Sequence, residues 1–206
     1  KTLLGEQNHE ETPLPSMPYK EIPDFYKSLD QPSQTHLALR LLILTNSRVG
    51  PLTKINLDQI DGDVWTIPKE FMKGEVKRAE AFSIPLSLEA LRIIDYLKPF
   101  SKNGNLFPSD GKNPVMSINT PRQHMVRLGI QARPGGFRAS MKTWMTENSI
   151  GSDHIQETIM SHKVGTSVAR RYTRTELVEE RRPIMERWAN FVTRNGTVNA
   201  EELRRG

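Results

Sequence analysis

The sequence predicts a mainly α-helical domain with one small antiparallel β-sheet. Three observations carry that expectation. Apolar residues recur at helical spacing along most of the chain from Ile22 to Val192. The period shortens to that of a strand only from Val64 to Pro68 and from Phe82 to Leu86. At 206 residues the chain can bury a real core, and no internal repeat divides it.

The elements follow in order. Residues 1–17 are polar, carry Pro13 and Pro15, and read as a linker or tail before a domain at 18–196. Ile22, Phe25, Tyr26 and Leu29 make a short amphipathic helix. Ser33-Gln34-Thr35 can cap a second one, through Leu37, Leu41, Leu42 and Leu44, whose apolar density marks it as buried. It breaks at Asn46-Ser47, which puts Arg48 at the end of a core element. Leu52, Ile55, Leu57 and Ile60 form a short helix or turn leading to Asp61-Gly62-Asp63. The two strands then flank a connection rich in Lys69, Lys73, Lys77 and Arg78, a basic hairpin suited to a DNA backbone.

Ser87 caps the next helix, with Leu91, Ile94 and Leu97 inward, until Pro99 ends it. Residues 101–118 read as a loop anchored by Leu106-Phe107. Thr120-Pro121-Arg122-Gln123 combines a cap, an early proline and a glutamine, starting a helix that ends near Gly129. Phe137 to Thr146 forms another, packed through Met141, Trp144 and Met145. Two short helices follow, Asp153 to Met160 and Val164 to Tyr172. A last one uses Ile184, Trp188, Phe191 and Val192, and residues 197–206 form a polar C-terminal tail.

Charge narrows the function. A formal net charge of +5 favours a polyanionic partner, without choosing between nucleic acid and an anionic membrane surface. No apolar run approaches a membrane span, and no signal peptide starts the chain, so a cytoplasmic protein is the simplest reading. With no cysteines, disulfides and thiolate zinc sites are excluded. His9, His36, His124, His154 and His162 lack close metal-ligand spacing, and neither a metal nor a cofactor is expected.

The chemistry is concentrated between Gly135 and Arg174. From Arg122 to Arg174 stand nine Lys or Arg against Glu147, Asp153 and Glu157. A surface this basic suits phosphate, and Arg122, Lys142, Lys163, Arg170 and Arg171 join Lys69 and Arg78 as candidate DNA contacts. A phosphodiester in line with Tyr172 could be attacked by its hydroxyl, which splits one difficult displacement into two. Arg48 and Arg138 could grip the nonbridging oxygens, since the guanidinium fork matches phosphate and stays charged. His162 could donate a third hydrogen bond, and a hairpin lysine could protonate the departing 5′ oxygen.

With those residues in place, the chain resembles the catalytic domain of the tyrosine recombinases, and among them the integrases of phages and genomic islands. The resemblance rests on "MPYKEIPDFYKSL", "LALRLLILTNSRVGPL", "VWTIPKEFMK" with "FSIPLS", "GGFRASMKTWM" and "MSHKVGTSVARRYTRTELVEERRPIMERWANFV". It implies the tyrosine recombinase catalytic-domain fold. Arg48 and Arg138 match the motif arginines, Lys73 the hairpin lysine, His162 the late histidine and Tyr172 the nucleophile. It further implies a covalent 3′-phosphotyrosine intermediate, a metal-free reaction and strand exchange within a tetramer on paired duplexes. Domains that bind core and arm sites are expected to precede this one.

Two departures stand out. The family usually writes His-Gly-Phe-Arg where this chain has Gly135-Gly136-Phe137-Arg138, so a histidine that assists proton transfer is replaced. The first arginine is usually followed by Pro-Gly-Glu, and here by Val49-Gly50-Pro51. The hairpin connection is also long. Lys73 keeps the family's distance from Trp65, and Lys77 keeps it to Pro85, leaving Lys77 as the alternative acid. The expected function is therefore a site-specific DNA recombinase, slowed by the missing histidine at Gly135. A degenerate, noncatalytic DNA-binding domain and a topoisomerase-like strand nickase are the rival readings.

Overall fold

The computed structural model describes residues 15–72, 80–161 and 167–194, with the backbone alone for residues 167–176. The expected Lys73, Lys77, Arg78, His162 and Lys163, and most of both tails, lie outside the described residues. The chain is mainly helical, with α1 (Ile22–Ser28), α2 (Gln34–Thr45), α3 (Val49–Thr53) and α4 (Leu88–Leu97) in the first half. The second half supplies α5 (Thr120–Arg127), α6 (Phe137–Glu147), α7 (Asp153–Ile159) and α8 (Ser167–Thr193).

Local chemistry sets the helix starts. Ser33, Ser87 and Ser152 each hold an extended backbone and accept a bond from the N–H three residues on, at His36, Ala90 and Ile155. The α5 start differs by a residue from the sequence expectation. Asn119 is its N-cap and Thr120 is its first residue, with no side-chain cap bond.

The sheet has three strands, β1 (Ile60–Asp61), β2 (Val64–Ile67) and β3 (Phe82–Pro85), in antiparallel order β1-β2-β3. Along β2 the side chains alternate, with Trp65 and Ile67 buried and Val64 and Thr66 half-buried. Only the β2–β3 hairpin was expected. β1 pairs Ile60 with Trp65 after the turn at Gly62, and two residues are too few to display a strand period.

A second difference concerns the C-terminal helices. The two that the sequence suggests are one element, because α8 runs unbroken from Ser167 to Thr193 through Pro183. Proline has no N–H to give the carbonyl a turn earlier, yet the helix is held there from outside. Arg181 donates to Ser83 O at 2.9 Å, Arg182 pairs with Asp63, and Glu186 accepts from the Leu88 N–H at 2.9 Å. The sheet and the start of α4 thereby brace the middle of α8.

The core is built around α2, of which ten residues, His36 to Thr45, are buried. Trp188 of α8 is fully buried against it and donates its indole N–H to Ile43 O at 2.8 Å. Trp144 of α6 lies 4.9 Å from the Trp188 ring, and Phe191 lies 5.6 Å from it. A buried charged cluster backs the other side. Arg40 lies over the Tyr26 ring at 5.1 Å, and Tyr26 donates to Glu89 Oε1 at 3.0 Å. Burial, reinforced by Glu89, holds the Tyr26 hydroxyl well above its usual pKa, so it stays a donor. No described helix is long and apolar enough to cross a membrane.

Between α2 and α5 two histidines meet, with His36 Nε2 3.0 Å from His124 Nε2. His36 Nδ1 accepts the Gln31 N–H at 3.1 Å, which leaves its proton on Nε2 to donate to His124. Protonating His124 would set two N–H groups face to face. Burial lowers both pKa values, with His124 and Arg40 also lowering His36, Asp30 opposing them, and Arg127 also lowering His124. Both shifts are downward, so the folded state binds fewer protons than the unfolded chain once pH falls below the usual histidine value of about 6.5. Stability should be flat from pH 8 to 7 and fall as pH drops through 6.5 toward 5.5. Urea midpoints across that range check this. His124→Gln should flatten the slope, and an unchanged slope would assign the effect elsewhere.

Candidate active site

The site begins where α2 stops. Asn46 caps that helix in the left-handed conformation, at φ 54°, and asparagine is among the few non-glycine residues that adopt it readily. Thr45 Oγ1 bonds Leu41 O at 2.6 Å and Ser47 Oγ at 3.0 Å, pinning the reversal. Arg48 follows with an extended backbone as the residue that opens α3. Its side chain is therefore fixed at the end of the most buried helix.

Arg138 arrives from the start of α6. The turn before it, Pro134–Gly136, presses against the residues that lead into α1. Arg133 N donates to Pro15 O at 2.9 Å, and Ser140 Oγ donates to Met17 O. A Cβ on Gly136 would fall 2.5 Å from Pro15 O and 2.8 Å from Ser16 Cα, so only glycine fits this approach. Gly135, where a histidine is expected, is half-buried, and its φ is not positive. No left-handed backbone therefore demands glycine there.

The two arginines converge on the end of α7. Arg138 Nη1 donates to Asn46 O at 2.6 Å, and its Nη2 donates to Met160 O. Arg48 Nη1 donates to Ser161 Oγ at 2.9 Å. Asn46 ties the same turn from beneath, its amide reaching Ile159 O and the Met160 sulfur, each at 3.4 Å. No carboxylate pairs with either guanidinium among the described residues. Burial, and then the Arg48 charge, lower the Arg138 pKa to about 10, and burial lowers that of Arg48. Both remain cationic at neutral pH. Two half-buried positive charges without an acid between them form a seat for an oxyanion.

The other sequence candidates fall as follows. Tyr172, Arg170 and Arg171 lie on α8 by their backbone, and their side chains lie outside the described residues. Lys69 and Arg122 are exposed. Lys142, expected at DNA, is bonded to Glu157 at 2.8 Å and joins α6 to α7. Among the described residues no three His, Asp or Glu side chains are grouped to hold a metal. Sequence reasoning missed Asn46, Gly136 and Ser161. An asparagine at the end of an apolar run was a usable signal for the first, whereas the other two depend on segments distant in sequence.

Comparison with known proteins bears on this arrangement. The model of the phage integrase family matches residues 15–177. The integrase of Enterobacteria phage P4 is 30% identical over 201 residues, covering 88% of this chain and 46% of that protein. A prophage integrase of Escherichia coli is 29% identical, over 87% of this chain and 44% of its own length. The integrase of Shigella phage Sf6 is 25% identical, with 87% and 48% covered. The chain thus spans about half the length of the curated relatives it matches. No solved structure gives a significant match.

The Asn46 turn generates a prediction about stability. Alanine at a left-handed position costs roughly 1–2 kcal/mol, and the lost amide bonds add about 1 kcal/mol. Asn46→Ala should therefore lower the unfolding free energy by about 2–3 kcal/mol. Asn46→Gly, which keeps the φ and loses only the amide, should lose no more than about 1 kcal/mol. Urea unfolding of the two variants measures the order. Equal losses would mean that the backbone conformation is not what the asparagine supplies.

Proposed function

The chain belongs to the phage integrase family, and from that premise we propose that it is the catalytic domain of a site-specific DNA recombinase. It cleaves and rejoins double-stranded DNA through a 3′-phosphotyrosine link. The observation that carries this reading is the meeting of Arg48 and Arg138, with no carboxylate partner among the described residues, at the turn that precedes His162. That seat lies at the junction of α2, α6 and α7, which the core holds from behind.

The steps follow from the donors present. A scissile phosphate enters with its two nonbridging oxygens on Arg48 and Arg138, whose bidentate geometry suits it. The Tyr172 oxygen attacks phosphorus and the phenol proton passes to solvent. The bond from phosphorus to the 5′ oxygen breaks, and that oxygen leaves as a hydroxyl with a proton from Lys73. Charge growing on the nonbridging oxygens is met by the arginines and by a hydrogen bond from His162. A 5′-hydroxyl from a second duplex then attacks the phosphotyrosine and reverses each step. One phosphodiester is exchanged for another, so no energy source is consumed.

Exchange between duplexes requires more than one active site, which supports a tetramer on paired DNA. Lys69, Arg78, Arg122, Lys163, Arg170 and Arg171 supply the basic surface along the backbone, and the cytoplasm is where such DNA is met. The relatives' greater length supports further DNA-binding domains in the working protein. Gly135 favours a second reading, a noncatalytic DNA-binding domain, because a residue that shuttles protons in the family is replaced by one that cannot. A nickase would need the same residues without the assembly.

Covalent chemistry separates these readings. On a nicked duplex carrying the element's end, the parent chain should form a protein–DNA adduct under denaturing conditions, and Tyr172→Phe should form none. Adduct persisting in Tyr172→Phe would remove that tyrosine from the reaction. Arg138→Ala should lose about 10²–10³-fold in cleavage while binding DNA more nearly as the parent does.

The lysine assignment has its own test. A bridging 5′-thiol leaving group needs little acid assistance, so it should rescue Lys73→Ala selectively. Rescue of Lys77→Ala alone would transfer the role to Lys77.

A further inference from the structure

Ser161 belongs to the arginine seat, and the sequence analysis gave it no role. It stands one residue beyond Met160, the C-cap of α7, with φ 50°, a conformation that serine disfavours and glycine accepts freely. Its N–H donates to Thr158 O at 2.8 Å, which holds the reversal in place. The hydroxyl oxygen accepts from Arg48 Nη1 at 2.9 Å across 113 positions of sequence. The carbonyl just before it accepts from Arg138. Ser161 therefore touches one guanidinium and adjoins the contact of the other.

A serine hydroxyl has one proton to give and two lone pairs to offer. Arg48 takes a lone pair, and the proton has no acceptor among the described residues. Strained positions that persist in a fold are held by surrounding structure and cluster at functional sites. Here the side chain that glycine would lack is the part that reaches the arginine.

We propose that the Ser161 hydroxyl is a third donor of the phosphate seat, giving its proton to the nonbridging oxygen that Arg48 grips. The proposal rests on the recombinase reading for the identity of the anion. Before DNA arrives, the hydroxyl holds the Arg48 side chain in the seat. With a phosphate present, Arg48 turns its donors to the oxygen, and the Ser161 O–H follows it. The bond strengthens as charge accumulates in the five-coordinate state, so it acts on the rate more than on affinity.

The informative variant is Ser161→Gly, because structure and chemistry then move in opposite directions. Glycine relieves the backbone, so the melting temperature should hold or rise. Single-turnover cleavage of the nicked duplex should fall about 10- to 100-fold, with DNA affinity within about threefold of the parent. A second measurement uses orthovanadate alone, which adopts the five-coordinate geometry of the transition state. It should raise the melting temperature of the parent more than that of Ser161→Gly.

Cleavage by the variant at the parental rate overturns the proposal. So does a variant that melts lower and loses activity in proportion, since the serine would then be structural. If the parent forms no adduct, the recombinase reading fails and vanadate decides for Ser161. A smaller shift in the variant sustains the third donor, and equal shifts reject it.

Discussion

A helix buried on every side can hold its end in place better than a helix on the surface, and α2 is such a helix. Ten of its residues, His36 to Thr45, are buried, and its carbonyl at Ile43 is claimed by the indole of Trp188 from the far end of the chain. Losing a buried tryptophan typically costs about 3–5 kcal/mol, a large share of a domain's net stability. The arginine seat hangs from the C-terminus of α2. Asn46 reverses the chain there, Arg48 leaves the reversal, and the Asn46 carbonyl receives Arg138. Position in the site is thus set by packing in the core.

The electrostatics of the seat follow from where its acceptors come from. Arg138 bonds two carbonyls, Asn46 O at the end of α2 and Met160 O at the end of α7. Helix C-termini carry partial negative charge, so both ends favour a cation without contributing a formal anion. A carboxylate in the same place would neutralise the arginine and compete with phosphate. Carbonyls position the guanidinium and leave its charge available. Burial and then the Arg48 charge lower the pKa of Arg138, and in the proposed reaction an anion at the seat would offset the repulsion between the two arginines. The same logic explains why Lys142 sits less easily among DNA contacts, since Glu157 already answers its charge.

How much of this was legible depended on how far each feature reaches along the chain. Ser33 and Ser87 announced their helices because a cap acts within three residues. The β2–β3 hairpin was visible in a period of two, whereas β1 had two residues and no period to show. The arginine pair was suggested by guanidinium chemistry and again by the resemblance, but nothing local shows that Arg48 and Arg138 meet. Gly136 reads as a second flexible glycine until Pro15 and Ser16 are seen against it. Nothing in the sequence pairs His36 with His124, because their contact belongs to the packing of α2 on α5. Contacts made between remote segments leave no periodic trace.

The continuity of α8 has a consequence for the site as a whole. Trp188 and position 172 are sixteen residues apart on one helix, or about 24 Å at 1.5 Å per residue. The far half is held by Trp188 in the core, by Arg181 on β3 and by Glu186 at the start of α4. The arginine seat is held through α2, α6 and α7. Helix α8 nevertheless packs directly on α2 and α7, and the aromatic cluster of Trp144, Trp188 and Phe191 joins it to α6. A change in that cluster would be felt by the arginine seat and by α8 together, whereas the Asn46 turn bonds Arg138 and the end of α7. In the proposed reaction, grip on the phosphate and delivery of the nucleophile thus rest on one shared core.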